Sequence, residues 1–131
     1  MATITEDYVS FETAKLLKKK GFDEALWASY DIDGYFDNDH ALFTNKTECD
    51  GFECVAPTQQ MAMKWLREVH KIGVFPATYT IKTELEGEYY TYGTAIVNLI
   101  THDLMNLDYL ARDTYKDAVE AAIKYCLENL I

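Results

Sequence analysis

The sequence predicts an α+β domain: an antiparallel sheet of about four strands in two hairpins, with three helices packed against one face, in the order α-β-β-α-β-β-α. Three observations predict it. Apolar residues recur at helical spacing in three separate stretches, and aromatic and β-branched residues alternate between them. The dipeptides Asp33-Gly34 and Glu86-Gly87 stand where two hairpins would turn. At 131 residues the chain is one domain, residues 1–131. With 49% hydrophobic residues, six Gly and two Pro, it has the apolar material for a core.

The first helix opens at Ser10, a residue type that caps N-termini. It carries Phe11, Ala14 and Leu17 on one face and ends at Gly21, where positive φ would let Phe22 fold back on the last turn. A first hairpin runs through residues 26–32 to a type I′ turn at Asp33-Gly34 and returns through Tyr35 and Phe36. The second helix begins near Pro57 and Thr58, with a buried stripe of Ala62, Trp65, Leu66, Val69 and Ile72, and ends at Gly73. Gln60, Lys64, Glu68 and Lys71 form its wet side.

In the second hairpin, Phe75, Ala77, Tyr79 and Ile81 alternate with Val74, Pro76, Thr78, Thr80 and Lys82, the period of a strand with one buried face. Pro76 cannot donate to a ladder, so this strand starts there or lies at an edge. Residues 89–100 pair back after Glu86-Gly87. Residues 102–113 read as a short helix or a surface loop. The third helix starts at Thr114, with Asp117 in place of the usual capping-box Glu, and its stripe is Ala118, Val119, Ala122, Ile123, Cys126, Leu127 and Leu130.

Twelve basic against 22 acidic residues leave a net charge of −10. It is uneven: residues 21–60 carry −8, 61–82 carry +3 and 83–131 carry −6. Nucleic acid and anionic membranes need clustered Lys and Arg, so neither is an expected partner. The longest uncharged run, residues 89–102, holds three tyrosines, an asparagine and several threonines, and is no membrane span. The first residues lack the basic and apolar regions of a secretory signal, and the expected location is the cytoplasm. Three cysteines, an odd number, read as reduced thiols.

The stretch Ser10-Phe11-Glu12-Thr13-Ala14-Lys15-Leu16-Leu17, residues 57–72 around Thr58, Gln59, Gln60, Met61, Ala62 and Trp65, and Thr114-Tyr115-Lys116-Asp117-Ala118-Val119 with residues 120–123 resemble a family. It is one of small uncharacterised proteins encoded in phages and prophages of gut Bacteroides-type bacteria. The likeness covers the three helices, about a third of the chain. It implies a phage or prophage origin and no particular reaction.

The most chemical stretch is residues 31–40. Asp31, Asp33, Asp37 and Asp39 are the hard-oxygen ligands that Ca²⁺ or Mg²⁺ takes, with Asn38 and His40 beside them. The spacing is not that of an EF-hand: counted from Asp31, Gly34 falls at the fourth position and Leu42 at the twelfth. The plain structural reading is two tight turns rich in residues that favour turns. Cys49 and Cys54 lack two further ligands at zinc spacing, and His70 reads as a boundary residue of the second helix. No nucleophile elbow, phosphate loop, dinucleotide fingerprint or His-Glu-x-x-His is present. The sequence implies no cofactor.

Ten tyrosines are the other unusual feature, and Tyr79, Tyr89, Tyr90 and Tyr92 fall on the second hairpin. They fit either an interface or cross-strand pairing within the sheet. Together these features point to a non-enzymatic phage accessory protein that binds another protein or itself. The alternatives are a divalent-metal-binding domain or metal-dependent enzyme using the loop from Asp31 to Asp39, and an acidic decoy that imitates DNA.

Overall fold

The computed structural model describes residues 5–38, 41–85, 87–108 and 114–131. Its elements are α1 (Phe11–Lys19), β1 (Ser29–Asp31), β2 (Phe36–Asp37), β3 (Phe52–Val55), α2 (Gln59–Val69), β4 (Ile72–Thr83), β5 (Gly87–Asn98), β6 (Leu104–Asp108) and α3 (Tyr115–Asn129). The fold is α+β with both expected hairpins, β1–β2 and β4–β5. The strands form two antiparallel three-stranded sheets, β2-β1-β3 and β4-β5-β6.

All three helices start where the capping residues place them. Ser10, Thr58 and Thr114 accept the backbone N–H of Thr13, Met61 and Asp117 at 3.0–3.2 Å. At the end of α1, Gly21 takes φ +99° and the Phe22 N–H donates to the Leu17 carbonyl at 2.9 Å, which buries the Phe22 ring. The helix α2 stops earlier than expected. His70 caps it, Lys71 turns the chain at φ +57°, and Ile72 is already the first residue of β4. That shift leaves Val69, expected on the buried stripe, 58% exposed.

The first turn also differs from expectation. Type I′ requires positive φ at both central residues, whereas here only Gly34 has it. The Gly34 N–H donates to the Asp31 carbonyl and the Asp31 N–H to the Tyr35 carbonyl, both at 3.0 Å, closing a three-residue loop with glycine at its left-handed position. A side chain at Gly34 would also strike the Phe11 ring at 2.8 Å.

Two strands have no counterpart in the sequence reading. β3 pairs with β1 (Ser29↔Val55, Tyr30↔Cys54, Asp31↔Phe52), with a bulge after Tyr30. β6 pairs with β5 through Thr94↔Asp108 and Ala95↔Leu107, and so replaces part of the helix or loop expected at 102–113. Residues 109–113 lie outside the described residues, as does Glu86 of the expected turn.

β4 is an edge strand, which accommodates Pro76 opposite Thr94. The register sets Ile72, Val74 and Pro76 on one face with Thr94 and Ile96, and this side joins the core. Phe75 and Ala77, the apolar set of the expected alternation, therefore lie on the outer face with Ala95, Val97, Leu104 and Leu107. The Phe75 ring and Leu99 fold over Gly73, where a Cβ would come within 2.7 and 2.9 Å of them. A single core draws on all three helices and both sheets. Leu17, Leu66, Val119, Ile123 and Leu127 are fully buried in it, and α3 packs against β4, β5, α1 and α2.

Candidate functional site

A cleft of about 490 Å³ opens on the small sheet, within the size range of ligand sites. β1 supplies its floor with Ser29, Tyr30 and Asp31. The hairpin supplies one wall with Tyr35, Phe36 and Asp37, and the segment leading into β3 supplies the other with Phe43, Cys49, Asp50, Gly51 and Phe52.

Each wall is held by backbone bonds. Leu26 and Phe43 exchange N–H···O bonds at 2.9 and 3.0 Å, and the Ile32 N–H donates to the Gly51 carbonyl at 2.9 Å. Asn45 accepts the Val55 N–H at 2.9 Å and donates to the Phe22 carbonyl at 2.8 Å, which anchors the segment without regular structure. Asp31 Oδ1 accepts the N–H groups of Asp33 and Tyr35, each at 2.9 Å, and so sets the hairpin.

The rings are ordered by one another. Phe43 and Phe52 lie 4.7 Å apart, Tyr30 and Phe36 5.7 Å, and Tyr8 backs Phe36 at 4.8 Å. The Tyr30 hydroxyl donates to the Val9 carbonyl at 2.5 Å, and burial raises its pKa above the ordinary phenol value. Among the described residues no Lys or Arg lines the cleft, whereas the carboxylates of Asp31, Asp37 and Asp50 do. The Lys18 ammonium lies 5.6 Å from the centre of the Phe52 ring and donates to the Glu53 carbonyl.

Of the four aspartates offered as metal ligands, Asp31 and Asp37 line this cleft and Asp33 sits exposed on the turn. Asp39, with His40, lies outside the described residues. Among the described residues no three carboxylate, imidazole or thiol groups gather as a metal centre would require.

The tyrosines divide by register. Tyr90 and Tyr92 oppose Thr80 and Thr78 on one face of the β4–β5 hairpin, while Tyr79 belongs to the other, so these three do not form one surface. Tyr90 is 72% exposed, and Tyr92 stands edge-on to Tyr115 with ring centres 6.3 Å apart. The side chain of Tyr89 lies outside the described set.

Cys54 and Cys126 are buried thiols, pushed by burial up to about 11 and about 12, and Cys49 is exposed at the cleft. His70 rests against Trp65 with ring centres 4.6 Å apart, and its Nε2 is buried without a hydrogen-bond partner. No helix among the described residues is long and apolar enough to cross a membrane.

Sequence reading groups Asp31 and Asp37 with Asp33 and Asp39, their neighbours along the chain. Tyr35 and Phe36 come with Asp31 and Asp37 on the β1–β2 hairpin, whereas Phe43, Asp50 and Phe52 meet them only through the Leu26–Phe43 bridge and the β1–β3 pairing, and the sole signal of these three in the sequence is the density of aromatic and acidic residues between positions 30 and 53. Comparison with protein-family models, with curated proteins and with solved structures finds no match to this chain.

Proposed function

We propose that the chain is a protein-interaction module, an accessory protein of phage or prophage origin that acts in the host cytoplasm by binding another protein. One observation carries the reading: a preformed concave site walled by aromatic side chains and edged by carboxylates, on a fold whose backbone already holds both walls in place. Aromatic rings supply large, rigid contact area at small entropic cost, and partly exposed ones in a concavity are the usual anchors of protein interfaces. Tyr35, Phe36 and Trp27 on the same part of the chain are 73%, 45% and 53% exposed, surface that a partner would cover.

The test is affinity capture from host lysate by the intact protein, at low and at raised salt. The module reading expects a defined partner whose capture falls when Tyr35→Ala and Phe36→Ala are combined in a protein that still melts cooperatively. Capture of nothing at either salt, or of a partner indifferent to every exposed aromatic residue, overturns it. A decoy that imitates DNA would instead collect nucleic-acid-binding proteins and release them steeply as salt rises.

A further inference from the structure

We infer that the aromatic cleft is a guanidinium site, which takes the side chain of an arginine in a basic segment of the partner protein; this rests on the reading of the chain as an interaction module. The walls are built largely of aromatic side chains, and the face of an aromatic ring carries the negative part of its quadrupole, which attracts a cation. The fold already uses this attraction twice beside the cleft. Lys15 Nζ sits 4.4 Å over the centre of Phe11, and Lys18 Nζ 5.6 Å over that of Phe52.

Charge then selects the occupant. Asp31 and Asp50 border the space and, among the described residues, no Lys or Arg lines it, which favours a cation over an anion. The surrounding residues 21–60 carry −8, which draws a basic segment toward this side of the molecule from a distance.

Arginine suits this combination better than lysine. Its planar guanidinium stacks on rings such as Tyr35 and Phe36 while its in-plane N–H groups reach carboxylates at the edge, and it is less strongly hydrated than an ammonium. Asp31 is partly committed, since its Oδ1 holds two turn N–H groups. Asp50, on the opposite wall and outside any strand, is the carboxylate whose removal least disturbs the fold.

The experiment is a titration of the ¹⁵N-labelled intact protein with three blocked tripeptides, Gly-Arg-Gly, Gly-Lys-Gly and Gly-citrulline-Gly. The arginine peptide is expected to give saturable shifts confined to the amides of Tyr35, Phe36, Gly51 and Phe52. The citrulline peptide, which keeps the shape and loses the charge, should bind about tenfold more weakly. Asp50→Asn and Tyr35→Ala, both exposed positions, should each weaken arginine binding about three- to tenfold while the rest of the spectrum stays unchanged.

Absence of saturable shifts, equal binding of citrulline, or tighter binding of lysine than of arginine overturns the inference. If the intact protein captures a partner that Asp50→Asn and Tyr35→Ala bind undiminished, the guanidinium site is wrong and the interaction module stands. If neither peptide nor partner binds, both fall.

Discussion

Glu120 of α3 accepts the backbone N–H of Ser10, the residue that caps α1, at 2.9 Å. Its other oxygen lies 3.3 Å from the side-chain nitrogen of Gln59, the buried first residue of α2. One half-buried carboxylate thus takes the backbone N–H of the α1 capping residue and the side-chain amide of the first residue of α2, at helix starts where the dipole favours negative charge. Gln59 also donates to the Lys116 carbonyl at 2.9 Å, so the three helices meet at this point.

Removing that carboxylate should loosen the packing of α1 and α2 on α3. Glu120→Ala is expected to cost about 1.5–3 kcal/mol, the range for hydrogen bonds to a charged group, and Glu120→Gln less because an amide oxygen still accepts. Urea unfolding of the two variants measures it. Equal and negligible losses would show that water replaces the contact.

A second link between α1 and α3 predicts a pH dependence. Lys124 lies 2.7 Å from Glu12, and its hydrogen bond and charge lower the Glu12 pKa below 4.5, while the same bond raises Lys124 above 10.5. A carboxyl that ionises more readily in the folded state contributes its full share of stability above its unfolded value and loses it as pH falls through the lowered one. Lys124 contributes below its unfolded value and loses its share as pH rises through the raised one. The melting temperature of Glu12→Gln should therefore fall short of the parent's by a constant amount at neutral pH, with the gap closing in acid. Glu12 is exposed and Lys124 partly so, and about 1 M salt should therefore also narrow the gap.

Trp65 closes the core beside Phe22, with ring centres 5.7 Å apart, and is 9% exposed. Trp65→Ala should cost about 3–5 kcal/mol, most of the stability of a domain this size, and Trp65→Phe far less. Circular dichroism during urea titration reads the difference. A Trp65→Ala protein that folds normally would mean that this side of α2 is surface.

The thiols should separate by burial. One of the three cysteines, Cys49, should react with a maleimide in the native protein at mild alkaline pH, and all three after unfolding in guanidinium. Rapid native labelling of Cys54 or Cys126 would show that the core opens easily.

Local chemistry was enough to determine the helix starts and both hairpins. Ser10, Thr58 and Thr114 mark helix starts because a side-chain oxygen reaches an N–H three residues on, and Gly21 marks an end because it tolerates φ +99°. These are contacts within one turn of chain. Only tertiary structure decided the rest, since β3 and β6 span four and five residues, too few for periodicity to register, and exist because β1 and β5 offer them a ladder. Which face of β4 turns inward was settled by α3 covering the Ile72 and Val74 side, a choice that alternation alone leaves open. The cleft belongs to the same category. Asp31 and Asp50 stand 19 positions apart in the chain, and pairing of β1 with β3 brings them to one concavity with Phe43 and Phe52, because a sheet joins strands by backbone bonds that carry no signature in the side chains.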